Sequence, residues 1–214
     1  MSVLPMKIGR ASACGGRCPY VSRKEMYVSL IFILISAFWL LSEIILAKTR
    51  RSSSKDSPKL DKSSIRFLWI AIFLSVFIGV FLGVKGVGFI PIRHHLLSIC
   101  GIILMVLGLV IRWTAILTLR KYFTVNVSIL PGHQIVKKGL YKYIRHPSYA
   151  GSLVSFLGLG LAFSNWLSSI VIVVPILTAY IYRMQVEEKA LIQAFGDEYL
   201  DYSKTTRRLI PKIY

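Results

Sequence analysis

The sequence predicts an all-α integral membrane protein of about five transmembrane helices, the last two forming a short helical hairpin, with a C-terminal cytoplasmic helical segment. Three observations carry this. Hydrophobic residues fill 55% of 214 positions, and mean hydropathy is +0.62, too apolar for an ordinary soluble domain of this length. The apolar residues fall in long runs, the mark of membrane-spanning helices. The formal net charge of +18 is gathered mainly between those runs.

Residues 1–25 read as a loosely ordered tail, because no apolar core of a cleaved signal precedes Met26. Cys14 and Cys18 sit there at Cys-x-x-x-Cys spacing without a second ligand pair, so no metal site is expected. Residues 26–119 hold three spans, at 26–47, 65–84 and 96–119. Shorter apolar runs follow at 148–163 and 166–182. Helices are expected throughout, because backbone facing lipid must satisfy its own hydrogen bonds. No alternating ten-residue pattern suggests a barrel.

The connections are legible too. Residues 50–62 read as a polar Ser/Lys-rich loop, and Gly86, Gly88 and Pro91 mark the second connection. His94-His95 falls in an ordinary loop. Cys100 is expected to pack within its apolar helix. Arg112 stands alone in the third span, where a charge costs about 2.5–3.5 kcal/mol on insertion scales. A structural pairing with Glu43 or another acid is favoured over snorkelling or lining a cavity. The two short runs suggest a tilted hairpin with a pocket open to water and lipid, and Pro175 should kink its second arm. Beyond Tyr182, apolar and charged residues alternate at helical spacing. The fifth helix should therefore leave the membrane and stop at Gly196, before a short helix over 197–204. Residues 120–214 form the candidate catalytic region.

Charge sets the expected topology. Lys48, Arg50, Arg51, Lys55, Lys59, Lys62 and Arg66 crowd the first loop. Arg120, Lys121, Lys137, Lys138, Lys142 and Arg145 crowd the third, and Lys189, Lys204, Arg207, Arg208 and Lys212 the tail. The second connection has only Lys85 and Arg93. The positive-inside rule then puts the first loop, third loop and tail in the cytoplasm. Lys7, Arg10, Arg17, Arg23 and Lys24 run against the outside N-terminus this requires. The basic charge is read as topology and attraction to anionic lipid, with no nucleic-acid partner.

Polar groups gather at the ends of the last apolar runs, where charge is costly and seldom idle. His146 precedes Pro147, so a helix should start at Pro147 with His146 beside its cap. The free N–H groups of that turn suit a carboxylate or phosphate, and Tyr141 and Tyr149 could line the same pocket. A turn with interfacial tyrosine anchors is the competing reading. Arg183 and Glu187, spaced i, i+4, share a helix face. Arg183 can grip a carboxylate or phosphate with two hydrogen bonds, and Glu187 can hold an ammonium group; a surface ion pair is the competing reading. Glu188 points about 100° further round the helix and is not expected in that pocket. Neither GxGxxG, a Walker loop, GxSxG nor HExxH occurs, and Gly158-x-Gly160 reads as helix packing.

Five pieces occur in fixed order: His133-Gln-Ile-Val136, Gly139-x-Tyr141, Arg145-His-Pro-Ser-Tyr149, Arg183-x-x-x-Glu187-Glu188 and Phe195-Gly-Asp-Glu-Tyr199-x-x-Tyr202. Together they resemble the isoprenylcysteine carboxyl methyltransferase family, within the wider group that includes phospholipid methyltransferases. The resemblance implies an S-adenosylmethionine-dependent methyltransferase in a membrane, whose C-terminal helical segment forms the cofactor pocket. It implies that His133, Gln134, Ile135, Val136, Tyr141, His146, Pro147, Ser148 and Tyr149 line that pocket. Glu187 would contact the cofactor and Arg183 the substrate carboxylate, these two forming the catalytic pair. Asn126 stands nearest to an upstream amide that the family often supplies as Gln. The expected acceptor is a lipid-linked or prenylated molecule, small or protein, held beside the bilayer. The membrane would be the cell membrane in a prokaryote or the endoplasmic reticulum in a eukaryote, with the site facing the cytoplasm.

Other acceptors stay open at this stage. A phospholipid amine or small thiol would keep the methyl transfer, but an ammonium acceptor needs a base. An NADPH-dependent sterol reductase shares an Arg-His-Pro motif, against which the Glu187-Glu188 pair and short chain argue. A non-catalytic membrane scaffold would leave the polar cluster unexplained. The sequence does not set the oligomeric state.

Overall fold

The computed structural model describes residues 23–49, 59–91, 93–124 and 132–210. Its helices are α1 (Arg23–Thr49), α2 (Lys59–Lys85), α3 (His94–Leu119), α4 (Pro147–Ala162), α5 (Trp166–Phe195) and α6 (Asp197–Thr205). Among the described residues α1, α2, α3 and α5 are long and apolar enough to cross a membrane, while α4 is a shorter apolar helix. At about 1.5 Å per residue, the 16 residues of α4 fall short of a hydrocarbon core about 30 Å thick. The 30 residues of α5 exceed it. Leu34, Phe38, Leu40, Phe73 and Phe77 are exposed on α1 and α2, as a lipid-facing surface requires.

Glycines bring α3 and α4 together. A Cβ on Gly158 would stand 2.5 Å from Gly101 O and 2.6 Å from Met105 N. One on Gly151 would stand 2.6 Å from Arg112 N. The backbones therefore touch, as small residues permit in membranes, and Ser155 Oγ donates to Met105 O at 3.0 Å. Gly158 thus packs against α3 and Gly160 against Ser169 of α5. On the other side, α2 lies along α5, where Ser168 Oγ donates to Gly79 O at 2.8 Å. Met105, Leu109, Phe156, Leu159, Ile172, Ile176 and Tyr180 form the core with Trp39 of α1. At the far end Asn165 caps α5 by accepting from Ser168 N at 2.9 Å. Its Nδ2 donates to Val87 O at 2.7 Å, binding the α4–α5 turn to the α2–α3 connection.

As expected, the charged stretch after Tyr182 continues the apolar run as one helix that stops at Gly196, with Pro175 inside it. Other expectations change. Helix α2 starts at Lys59, so part of the expected 50–62 loop is helical, as its Lys, Leu and Asp side chains allow. His94 and His95 open α3 instead of lying in a loop. Cys100 is exposed on α3, facing outward from the bundle. Helix α1 begins at Arg23, just before the expected Met26. Cys14, Cys18 and Asn126 lie outside the described residues. Gly196 ends α5 with φ 53°, a left-handed value that glycine adopts without strain, and the chain turns there into α6.

Candidate active site

The site is built where α4 begins. Pro147 occupies its first turn, and His146 caps it with φ −122° and ψ 56°. The residues before it are pinned by the tail. Arg145 N donates to Arg207 O at 2.7 Å, and His146 N to Arg208 O at 3.0 Å. Arg207 N returns a bond to Tyr143 O at 3.2 Å. The last described stretch thus lies parallel beside 143–146 and holds His146 at the bundle's edge.

Glu188 of α5 ties these pieces together. Its Oε1 accepts from Arg145 Nε at 2.9 Å and pairs with His146 Nε2 at 3.2 Å. Its Oε2 accepts from Arg208 Nε at 3.0 Å and lies 2.8 Å from Arg208 Nη2. Arg145 Nη1 also donates to Ser203 O at 2.9 Å. Charge-assisted bonds of this kind are about twice as strong as neutral ones. With the proton on Nε2, a tautomer assigned from this network, His146 turns Nδ1 towards Glu187 Oε2, 3.8 Å away.

Glu187 joins a second chain of contacts. The Tyr149 hydroxyl donates to Glu187 Oε2 at 3.0 Å and lies beside the Arg183 guanidinium. The His146 ring stacks on Tyr149, with centroids 5.6 Å apart, and Tyr149 on Tyr180 at 4.8 Å. Arg183 is only 2% exposed and donates from Nη1 to Ser64 Oγ of α2 at 2.6 Å.

A hollow opens on the outer side of Glu187. His133, Gln134, Ile135, Val136, Tyr141, His146, Glu187, Leu191, Phe195, Tyr199 and Tyr202 line it, with Leu119, Tyr122 and Arg145. Its free volume is about 90 Å³, room for about three waters at about 30 Å³ each. The 133–136 wall is anchored by the Tyr122 hydroxyl on Gly132 O at 3.0 Å and the exposed Lys137–Glu198 pair at 3.5 Å. Within the hollow the Tyr122 and His133 rings stack at 4.7 Å, and Phe195 meets His133 edge-on at 5.5 Å. Buried Nδ1 of His133 has no partner. Burial holds the His133 imidazole below its ordinary pKa, against the pull of the Glu187 carboxylate. Burial, then the Glu187 charge, pushes the Tyr141 phenol up, so it stays a neutral hydrogen-bonding group.

Of the sequence-derived candidates, His133, Gln134, Ile135, Val136, Tyr141, His146 and Glu187 share the hollow. Tyr149 and Arg183 stand behind Glu187. Pro147 only starts the helix, and Ser148 faces away, accepting from Arg112 Nη1 at 3.0 Å. Glu188 does not line the hollow, yet it organises the wall through His146, Arg145 and Arg208, a role its angular offset concealed. The charge balance held a clue: with 9 acids against 27 Lys and Arg, an acid among Arg145, Arg207 and Arg208 is apt to be a shared anion.

Among the described residues, four membrane-length apolar helices with a polar cluster at one end define a multi-pass helical membrane protein. The isoprenylcysteine carboxyl methyltransferase family model matches residues 101–193. Protein-S-isoprenylcysteine O-methyltransferase A of Arabidopsis thaliana is 30% identical over 192 residues, 87% of this chain and 91% of that relative. The Saccharomyces cerevisiae protein-S-isoprenylcysteine O-methyltransferase is 33% identical over 120 residues, 55% of this chain and 50% of that relative. The solved structure of the eukaryotic intramembrane Ras methyltransferase superposes with a TM-score of 0.58 at 25% identity, covering 91% of this chain and 70% of that one. The chain belongs to the isoprenylcysteine carboxyl methyltransferase family.

Proposed function

We propose that this protein transfers a methyl group from S-adenosylmethionine to the carboxylate of a prenylated cysteine or a similar lipid-linked acid. The observation that carries this is the line from hollow to bundle: the Glu187 carboxylate facing the hollow, the Tyr149 hydroxyl against it, and Arg183 buried behind. On this reading the Glu187 carboxylate would serve the cationic donor, and Arg183 would serve the carboxylate acceptor. Family membership favours methyl transfer over a reductase reading.

The residues present fit the cofactor. The unpartnered His133 Nδ1 and the Tyr122–His133–Phe195 ring cluster suit a flat heteroaromatic ring. Glu187 offers negative charge to a cation. When bound, S-adenosylmethionine supplies a methyl group activated by its sulfonium. The chain's part is to hold the acceptor. A carboxylate is ionised at neutral pH, so no residue need remove a proton. Arg183 has five N–H donors and can orient a carboxylate oxygen while the bundle keeps water out. Positioning at near-attack distance contributes much of such a rate enhancement. Shielding also helps because solvation opposes the meeting of opposite charges. The basic connections favour a cytoplasmic position for this edge, where a lipid tail can stay in the bilayer while its headgroup enters.

Calorimetry and labelled methyl transfer test the reading with purified protein in lipid nanodiscs. S-adenosylhomocysteine should bind and NADPH should not. Label should reach a farnesylcysteine acceptor in preference to phosphatidylethanolamine or methanethiol. Binding of NADPH alone would overturn methyl transfer, and label on the amine or thiol would overturn the carboxylate acceptor.

A further inference from the structure

Arg112 lies in α3, deep in the bundle and away from the hollow. Its Nη2 meets Glu43 Oε2 of α1 at 2.7 Å while Nε meets Oε1. The pair is bidentate, the geometry in which Arg binds carboxylates most firmly. Nη1 then reaches α4, donating to Ser148 Oγ at 3.0 Å, Ser152 Oγ at 2.8 Å and Ser148 O at 3.4 Å. Arg112 and Glu43 are 12% and 22% exposed at the side chain.

Packing alone does not call for this pair. A buried ion pair replaced by well-fitting apolar residues often leaves stability unchanged or raised. The register of α3 on α4 is already fixed nearby, where Gly151 leaves no room for a Cβ beside Arg112 N. Trp39 and Phe156, with rings 4.7 Å apart, already join α1 to α4. What Arg112 adds is a grip on the start of α4, at Ser148 in its first turn and Ser152 in its second. The first turn carries His146, which lines the hollow, and Tyr149, which bonds Glu187.

We propose that Arg112 and Glu43 are positioning residues for the methyl transfer, setting the first turn of α4, and through it His146 and Tyr149, against α5. The inference rests on the proposed function, and it gives a catalytic task to α1, which lies outside the matched span 101–193. Glu43 holds the guanidinium in plane so that Nη1 points at Ser148 and Ser152. Without the carboxylate, the guanidinium can rotate out of that plane and release the turn.

The test uses full-length protein in nanodiscs, with turnover counted per S-adenosylhomocysteine-binding site. Glu43→Gln removes the charge. Glu43→Gln with Arg112→Gln removes both charges, so no lone ion is left buried. Ser148→Ala with Ser152→Ala cuts only the link to α4. Each should bind S-adenosylhomocysteine within about threefold of wild type and lose about ten- to a hundredfold in kcat, the scale of a 1 Å misplacement. Glu43→Asp should recover part of the loss. Amide exchange at Tyr149 and Ala150 should quicken, while exchange at the α5 turn bearing Arg183 and Glu187 stays unchanged. Losses that vanish when counted per binding site, or unchanged exchange at Tyr149 and Ala150, would overturn the inference. A wild-type protein that moved no methyl group would count against the proposed activity alone, and exchange would still decide whether the pair sets the turn.

Discussion

The Tyr149 hydroxyl, in the first turn of α4, sits 3.0 Å from Glu187 Oε2, while its ring stacks between His146 and Tyr180. One side chain therefore joins the wall of the hollow to the buried arginine behind it. Tyr149→Phe keeps both stacks and deletes only the hydroxyl. Turnover should fall about tenfold, equivalent to about 1.4 kcal/mol, with the thermal midpoint nearly unchanged. A midpoint drop with normal kcat would mean the hydroxyl serves folding instead.

Glu187 and Arg183 should separate in kinetics. Glu187→Ala should raise the dissociation constant of S-adenosylhomocysteine at least tenfold by calorimetry. Arg183→Lys keeps a charge but loses the planar fork. It should leave that constant within about threefold while kcat falls about a hundredfold, because losing an interaction made in the transition state lowers kcat. Full activity in Arg183→Lys would remove Arg183 from its role.

His133 sets a pH dependence. Its folded pKa lies below the ordinary 6.5, so between those values the unfolded chain binds more protons than the folded one. Stability from this group is present above about pH 6.5 and is lost as pH falls through the folded value. Thermal midpoints recorded from pH 7.5 down to 5 should fall more steeply for wild type than for His133→Asn. Parallel curves would show that the imidazole does not titrate differently on folding.

Gly158→Ala probes the helix contact. The new Cβ would stand 2.5 Å from Gly101 O and 2.6 Å from Met105 N, both backbone atoms, so α3 and α4 must part. Overpacking of this kind costs about 1–3 kcal/mol. Thermal scanning should show a lower midpoint and poorer yield of folded protein, whereas a wild-type midpoint would mean the helices slide apart freely.

Periodicity and punctuation made most of the architecture legible. The proline after His146 marked the start of α4, and Gly196 marked the end of α5, because each residue fixes a local backbone geometry. Lengths were less legible where polar residues continue a helix, as at Lys59 in α2. The Arg112–Glu43 pair was readable because a lone intramembrane charge must find a partner. The role of Glu188 was not. Its offset on α5 correctly kept it off the hollow, but its contacts depend on how the tail folds back beside Tyr143, a long-range arrangement that no local pattern encodes. Ser64 as the partner of Arg183 was hidden for the same reason, since the two are 119 residues apart.

The return of Arg207 and Arg208 to residues 143–146 has a bearing on biosynthesis. All the apolar helices emerge from the ribosome before this closing stretch does. The bundle can therefore settle in the bilayer while the wall of the hollow is still unfinished, and that wall is complete only once Arg207 docks beside Tyr143 and Arg208 reaches Glu188.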